Sequence, residues 1–231
     1  MIKITNVDVY GWEAAIRGMR NPMNSWNKSD SMFNVCCDNY PDDCHGCPGY
    51  ENDDLCDRIP TNITYSHIGE NDLTLMKKLG NAGPDHGKFL RMITVTMDVN
   101  APLYWWKEAD TYKVGTVANS CSTMHKIHAK EFTMDDFSHE HNLYYGNLEL
   151  TIDALNHARE QFLLTKDKKY WYSMIQLLPS SYNQLRTVQL NYQVLKNMYH
   201  ARKNHKLDEW RDFCAWIKTL PYSELITGED A

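Results

Sequence analysis

The sequence predicts an α+β protein in which helix dominates the C-terminal half. Three observations carry this. From Phe89 to Asn100 the residues alternate, with Ile93, Val95, Met97 and Val99 on one face and Thr94, Thr96, Asp98 and Asn100 on the other, which is the period of a half-buried strand. From Leu148 onward, successive segments repeat their apolar residues at helical spacing. Of the 231 residues, 42% are hydrophobic, with 7 Trp and 14 Tyr among the aromatics, enough for one well-packed core and too apolar for intrinsic disorder.

The elements follow in order. Ile2 to Val9 alternates and reads as a strand, and Trp12 to Met19 as a short helix. About residues 21–65 form a polar stretch rich in Asn, Asp, Pro and Cys, expected as a long Cys-rich insert within a single α+β domain spanning 1–231. Asp72 to Leu79 reads as a helix stopped by Gly80 and Gly83. After the Phe89–Asn100 strand, Pro102 suits the first turn of a helix over LYWWKEADTY. Val114 to Thr123 is small and polar and reads as a loop. Leu148 to Leu164, Lys169 to Leu178, Thr187 to Ala201 and Asp208 to Thr219 read as helices.

Composition narrows the function classes. The net charge of −6 argues against general nucleic-acid binding, which needs a basic excess. No apolar run approaches the roughly 18–20 residues of a membrane span, and MIKITNVDVYGW lacks the apolar centre of a signal peptide. A cytoplasmic protein without a membrane partner is the expectation.

Several groups bear chemistry. Five of the seven cysteines lie between Cys36 and Cys56. Cys44 and Cys47 form a C-x-x-C knuckle, and with Cys37 and Cys56 they supply four thiolates suited to a structural tetrahedral zinc. Cys36 or His45 can replace one ligand, and the plainer reading is a set of reduced thiols in a variable loop. The loop VGTVANSCSTMHKIH holds Thr116, Asn119, Ser120, Cys121 and Ser122, small groups able to surround a phosphate. Cys121 with His125 also has the makings of a nucleophile–base pair, against the alternative of a polar turn with one buried Cys. Trp105 and Trp106 point about 100° apart on a helix, so both can be core, or one can stack on a planar ligand. The basic cluster Arg202 to Lys206 suits a helix C-terminus. Arg202 itself lies eleven residues after Asn191, close to three turns, on the stripe with Leu195 and Met198, where an anionic or amide-bearing partner is expected. A nucleotide supplies both.

Taken together, these blocks resemble the flavin-dependent thymidylate synthases, which make dTMP from dUMP with FAD, NADPH and methylenetetrahydrofolate. The resemblance runs roughly over Ala14 to Arg20 and His86 to Trp210, and it rests on AIRGMR, DHGKFLRMITVTMDVNAPLYWW and QLLPSSYNQLRTVQLNYQVLKNMYHAR. It implies a thymidylate synthase complementing protein-like fold, with a central antiparallel sheet, long C-terminal helices and sites between the subunits of a homotetramer. It further implies His86, Asn191 and Asn197 on the flavin side, Arg202 gripping the pyrimidine nucleotide, Lys113 at a phosphate, and Asn119, Cys121 and Ser122 beside the nucleotide. The signature departs from the family. Where the family has Arg-His-Arg, seven intervening residues and then Ser, this chain has Thr111-Tyr112-Lys113 and Cys121. Asn119, Cys121 and Thr123 replace Glu, Ser and Arg, and Ile175 and Gln193 replace further arginines. Lys does not reproduce the bidentate fork of Arg. Three readings follow: a divergent flavin-dependent thymidylate synthase or related pyrimidine-modifying enzyme, a nucleotide-binding protein on the same fold without that activity, and a zinc-stabilised interaction protein.

Overall fold

A computed structural model describes residues 2–35 and 65–228. The strands are β1 (Lys3–Tyr10), β2 (Met32–Val35), β3 (Tyr65–His67), β4 (Thr94–Pro102), β5 (Val117–Ser120) and β6 (Asn183–Asn191). The helices are α1 (Trp12–Arg20), α2 (Glu70–Asn81), α3 (Leu103–Ala109), α4 (Tyr145–Thr165), α5 (Lys168–Leu177), α6 (Tyr192–Arg202), α7 (Asp208–Ile217) and α8 (Glu224–Thr227). They form two compact units, one of Met1–Tyr10 with Ile93–Ala231 and one of Gly11–Met92.

The larger unit is built on an antiparallel sheet in the order β1-β4-β6-β5. β4 is central because its odd residues are apolar throughout. Val95, Met97, Val99 and Ala101 are buried beneath the helices, each large side chain contributing about 1.5–3 kcal/mol of burial. β1 keeps phase with β4 through a bulge between Thr5 and Asp8. The bulge lets Ile4 and Val9, five residues apart, both face inward, and Asn6 adopts the left-handed φ of 51° that it requires. Trp105 and Trp106 of α3 are both core. Trp105 packs on Trp210 and Phe213 of α7 with ring centroids at 4.8 and 5.5 Å. A second cluster joins α4 and α5 through Leu148, Ile152, Leu155, Ala158 and Met174. α4 ends at Lys166, in left-handed conformation, and Asp167 caps α5 by accepting from the Lys169 amide at 3.0 Å.

Two expectations are corrected. The helix expected over Thr187–Ala201 begins only at Tyr192. The preceding residues are β6, which pairs with β4 along its whole length from Asn183↔Pro102 to Asn191↔Thr94. The loop expected over Val114–Thr123 contains the edge strand β5, held by Val117↔Gln189 to Ser120↔Arg186. In both places sheet pairing overrides a weak local signal.

The smaller unit is pinned by a buried ion pair. Arg20 donates from Nε to Asp72 at 2.6 Å, and its other nitrogens donate to the Ser25 and Lys28 carbonyls at 3.1 and 3.0 Å. Asp72 also accepts from the Ser29 and Ser31 hydroxyls, each at 2.6 Å. Asp30 caps α2 by accepting from the Asn71 and Asp72 amides at 2.9 and 3.1 Å. A Cβ on Gly69 would sit 2.2 Å from the Asp30 carboxyl carbon, so the capping turn requires glycine there.

Candidate functional site

The sheet of the larger unit has one apolar face under the helices and one polar face. Residues in register across it make rows on the polar side. Thr5, Asp98, Thr187 and Asn119 form one row, and Lys3, Asn100 and Leu185 form the next. Cys121 follows β5 and ties to the same end of the sheet through its amide, which donates to the Leu185 carbonyl at 2.9 Å. In the first row Asp98 accepts from the Thr187 hydroxyl at 2.6 Å and the Asn6 amide at 2.7 Å. Those two bonds hold its carboxyl below the usual range.

The second row floors a cavity of about 400 Å³ walled by Lys3, Asn100, Cys121, Ser122, Lys130 and Asn183, among others. Three elements build it. The alternation of β1 and β4 places Lys3 and Asn100 side by side. The segment after β5 carries Cys121 and Ser122 over the edge, and Gln184 fastens it by donating to the Cys121 carbonyl at 2.7 Å. The Leu-Pro turn, in which the Tyr182 amide donates to the Pro179 carbonyl at 3.0 Å, presents Tyr182 and Asn183. Burial raises the Tyr182 phenol above its ordinary pKa, so it stays a neutral donor.

The charges in this cavity are unevenly committed. Lys130 is paired with Asp136, and Asn183 accepts from Ser138 at 2.8 Å. Lys3 and Asn100 enter no side-chain hydrogen bond or ion pair among the described residues. Among the described residues Lys3 and Asp135 are thus the uncommitted charges of its lining, one of each sign, beside the Lys130–Asp136 pair. Cys121 is exposed, not buried. The turn that follows is closed by Ser122, whose hydroxyl accepts from the backbone amides of Met124 and His125 at 3.2 and 2.8 Å. No hydrogen bond joins Cys121 to the His125 ring among the described residues. Cys214, by contrast, is buried, and burial pushes its thiol up to about 11.

Arg202 and Lys113 belong to the helix side. Arg202, at the end of α6, pairs with Glu108 at 2.8 Å and donates from Nε to the Tyr112 hydroxyl at 3.1 Å. Its guanidinium also lies 5.1 Å from the Trp210 ring centroid. Glu108 further accepts from the Trp210 indole at 3.1 Å and lies 3.3 Å from His205. Arg186 is held in the same manner, paired with Asp110 at 2.7 Å and stacked 4.1 Å from the Trp106 ring centroid. Lys113, in the turn between α3 and β5, is exposed and enters no ion pair among the described residues.

The remaining expected residues disperse. Asn191 is the N-cap of α6, accepting from the Val194 amide at 3.1 Å. Asn197 is exposed and accepts from Gln193 at 3.0 Å. Asn119 stands on β5 in the polar-face row of Thr187. His86 lies in the Gly11–Met92 unit, just before a 3-10 turn over Gly87–Arg91. Cys37, Cys44, Cys47 and Cys56 lie outside the described residues. Among the described residues no cluster of three or more His, Cys, Asp or Glu has metal-binding geometry, and no helix is long and apolar enough to cross a membrane. Sequence reasoning missed Lys3, Asn100 and Lys130. The alternation of β1 and β4 marks the first two as polar-face residues, but their meeting with Cys121 depends on register across a hundred residues.

No family model matches the chain, and comparison with curated proteins brings out no match. Solved structures do resemble it. A flavin-dependent thymidylate synthase from Helicobacter pylori, solved with FAD and dUMP, superposes with a TM-score of 0.65 at 14% identity, covering 99% of this chain and 98% of that one. A second structure of the enzyme from that organism, also with FAD and dUMP, gives 0.65 at 15% identity over 97% and 99%. A UMP/dUMP methylase from Streptomyces cacaoi bound to 5-Br dUMP gives 0.56 at 12% identity over 99% and 95%. The chain has the fold of the flavin-dependent thymidylate synthases.

Proposed function

We propose that this protein binds a pyrimidine nucleoside monophosphate of the dUMP type and belongs among enzymes that modify the pyrimidine. The supporting observation is the whole-length fold likeness to structures solved with dUMP or its bromo analogue, on a chain that also presents a polar cavity with an unpaired lysine. Lys3 supplies the phosphate charge and Asn100 a free amide. An amide offers both a donor and an acceptor to the imide edge of uracil. Cys121 and Ser122 flank the base.

A flavin fits this chain only in part. Asn197 and Gln193 present surface amides, and Lys113 is an unpaired ammonium. Arg202 and Arg186, the two arginines stacked on aromatic rings, are both committed to carboxylates at 2.8 and 2.7 Å. A diphosphate needs several charge-assisted hydrogen bonds, each worth about 1.5–3 kcal/mol. Among these donors only Lys113 is an uncommitted cation, and one ammonium does not satisfy the FAD diphosphate by itself. The fuller reading is reductive methylation of dUMP with FAD, NADPH and methylenetetrahydrofolate. It therefore needs further cationic groups, from elsewhere in the chain or from other copies of it in a homo-oligomer such as the tetramer the resemblance implies.

An absorbance spectrum of freshly purified protein, with and without added FAD and dUMP, separates the readings. A flavin band whose oxidation responds to dUMP supports the full reaction. A colourless protein without FAD affinity removes it and leaves nucleotide binding, which a thermal-shift titration with dUMP reads independently; no stabilisation by any pyrimidine nucleotide removes that as well. The zinc site at Cys37, Cys44, Cys47 and Cys56 is a separate proposal on spacing alone. Less than about one zinc per chain on metal analysis ends it.

A further inference from the structure

One wall of the polar-face cavity is made by Cys121, Ser122 and Thr123. The pairing of β5 ends at Ser120↔Arg186, and one further backbone bond, from the Cys121 amide to the Leu185 carbonyl, continues it. Beyond that point side chains hold the segment. The Cys121 carbonyl accepts from the Gln184 amide at 2.7 Å, and the Met124 carbonyl accepts from the Trp171 indole of α5 at 2.9 Å. Ser122 and Thr123 lie between these two fastenings.

Gln184 is buried, and its amide is committed at both ends. Its Oε1 accepts from the Arg186 Nε at 2.9 Å while its Nε2 donates to Cys121. A guanidinium only donates and a carbonyl only accepts, so the amide fits one way round. Neither a carboxylate nor an apolar side chain of the same length makes both bonds. Arg186 is fixed in turn from the helix side, by Asp110 at 2.7 Å and by the Trp106 ring at 4.1 Å. Trp106 is itself core, and its indole donates to the Gln184 backbone carbonyl at 3.0 Å. Asp110, Arg186, Gln184 and Cys121 thus form a continuous brace from the end of α3 to the cavity wall. The cationic donor on Oε1 polarises the amide and strengthens its bond to Cys121. We infer that Gln184 is a positioning residue for the polar-face cavity, an assignment that rests on the nucleotide reading of that cavity. Through the Cys121 carbonyl it sets where the Cys121 thiol and the Ser122 hydroxyl stand against the ligand, and Arg186 sets Gln184.

The test uses the full chain and two measurements. One is calorimetric titration with dUMP. The other is alkylation of the exposed Cys121 thiol by iodoacetamide over a pH series, resolved by peptide mass spectrometry. Gln184→Glu has the same shape and keeps the bond from Arg186, but turns a carboxylate oxygen toward the Cys121 carbonyl. It should weaken dUMP about fivefold or more, the worth of one buried hydrogen bond. It should also move the midpoint of Cys121 alkylation up by about half a pH unit or more, because a nearby negative charge disfavours the thiolate. A merely structural contact would lower the melting temperature without moving that midpoint. Arg186→Met removes the brace one step back and should weaken dUMP by a similar factor, which keeps the test valid if Gln184→Glu fails to fold. Affinity within about twofold of the unaltered protein in the folded variants overturns the assignment, and so does an unmoved alkylation midpoint in Gln184→Glu. If dUMP does not bind the unaltered protein, the nucleotide reading falls, and the alkylation midpoint alone decides whether Gln184 governs Cys121.

Discussion

Arg202 and Lys3 show how partnering decides what a cation is available to do. Arg202 has the fork suited to phosphate, but Glu108 at 2.8 Å, the Tyr112 hydroxyl and the Trp210 ring already hold it. To grip a nucleotide it must first leave Glu108, and Glu108 would then face only His205 and the Trp210 indole. Lys3 has no such competitor. The two residues should therefore separate stability from binding. Arg202→Ala should lower unfolding free energy by about 1–3 kcal/mol, with a coupling to Glu108→Gln of about 0.5–3 kcal/mol in a double-mutant cycle. Lys3→Gln should leave stability within about 0.5 kcal/mol and weaken dUMP about tenfold or more, the loss of one charge-assisted bond. Denaturant titration and nucleotide thermal shifts on Arg202→Ala, Glu108→Gln, their double variant and Lys3→Gln check both. If Arg202→Ala abolishes dUMP binding while Lys3→Gln leaves it unchanged, the nucleotide sits on the helix side instead.

The elements that the sequence made legible are those whose own periodicity dominates. α4, α5 and α7 carry apolar stripes and stand within a few residues of expectation, and β4 alternates cleanly, although the strand expected from Phe89 starts only at Thr94, after a 3-10 turn over Gly87–Arg91. β6 was not expected as a strand. Thr187 to Asn191 reads plausibly as the first turns of a helix continuing to Ala201, and only the nine-residue ladder with β4 reveals it as strand. The candidate site shares this difficulty, because its walls come from β1, β4, the segment after β5 and the Leu-Pro turn, joined by register that no local pattern encodes. The junction of β6 and α6 is where strand and helix compete most directly. Asn191 settles it: as the last strand residue it accepts from the Val194 amide at 3.1 Å and starts the helix one residue later. Gly115 packs against that cap with φ of 80°, and a Cβ there would meet the Asn191 amide nitrogen at 2.9 Å. Asn191→Ala should cost about 1 kcal/mol. Gly115→Ala should cost at least as much, since it combines the clash with about 1–2 kcal/mol of left-handed strain. The two losses should be less than additive, because each removes the same packed contact; thermal unfolding of the single and double variants measures this. Full additivity would mean that Gly115 acts through its backbone angle alone.

Across the whole molecule, the two units differ in that the smaller one adds a fully buried ion pair to its apolar core, and this sets how the protein responds to acid. The larger unit rests on two aromatic and aliphatic clusters around its sheet, whose packing does not titrate. The smaller unit has an apolar core of its own, with Ile16, Met19, Met76, Phe89 and Leu90 buried, and beside it the ion pair of Arg20 and Asp72, 4% and 0% exposed. Burial of Asp72 alone would raise its pKa, but the hydroxyls of Ser29 and Ser31 together with Arg20 outweigh burial and hold it below the usual carboxylate range. A carboxyl whose pKa is depressed in the folded state contributes stability that is complete above its unfolded value, about 3.9. That stability is lost as pH falls through the lower folded value. The Gly11–Met92 unit should thus hold its full stability at neutral pH and loosen below about pH 4, before the aromatic core of the larger unit responds. Asp72→Asn should remove this acid dependence and, by leaving Arg20 buried without its counter-charge, cost about 3–5 kcal/mol at pH 7. Hydrogen exchange resolved by segment between pH 7 and pH 3 reads it directly. Amides of α1 and α2 should lose protection first in the native protein, and should already be unprotected at pH 7 in Asp72→Asn. Simultaneous loss in both units would instead show that the ion pair stabilises the molecule as one cooperative body.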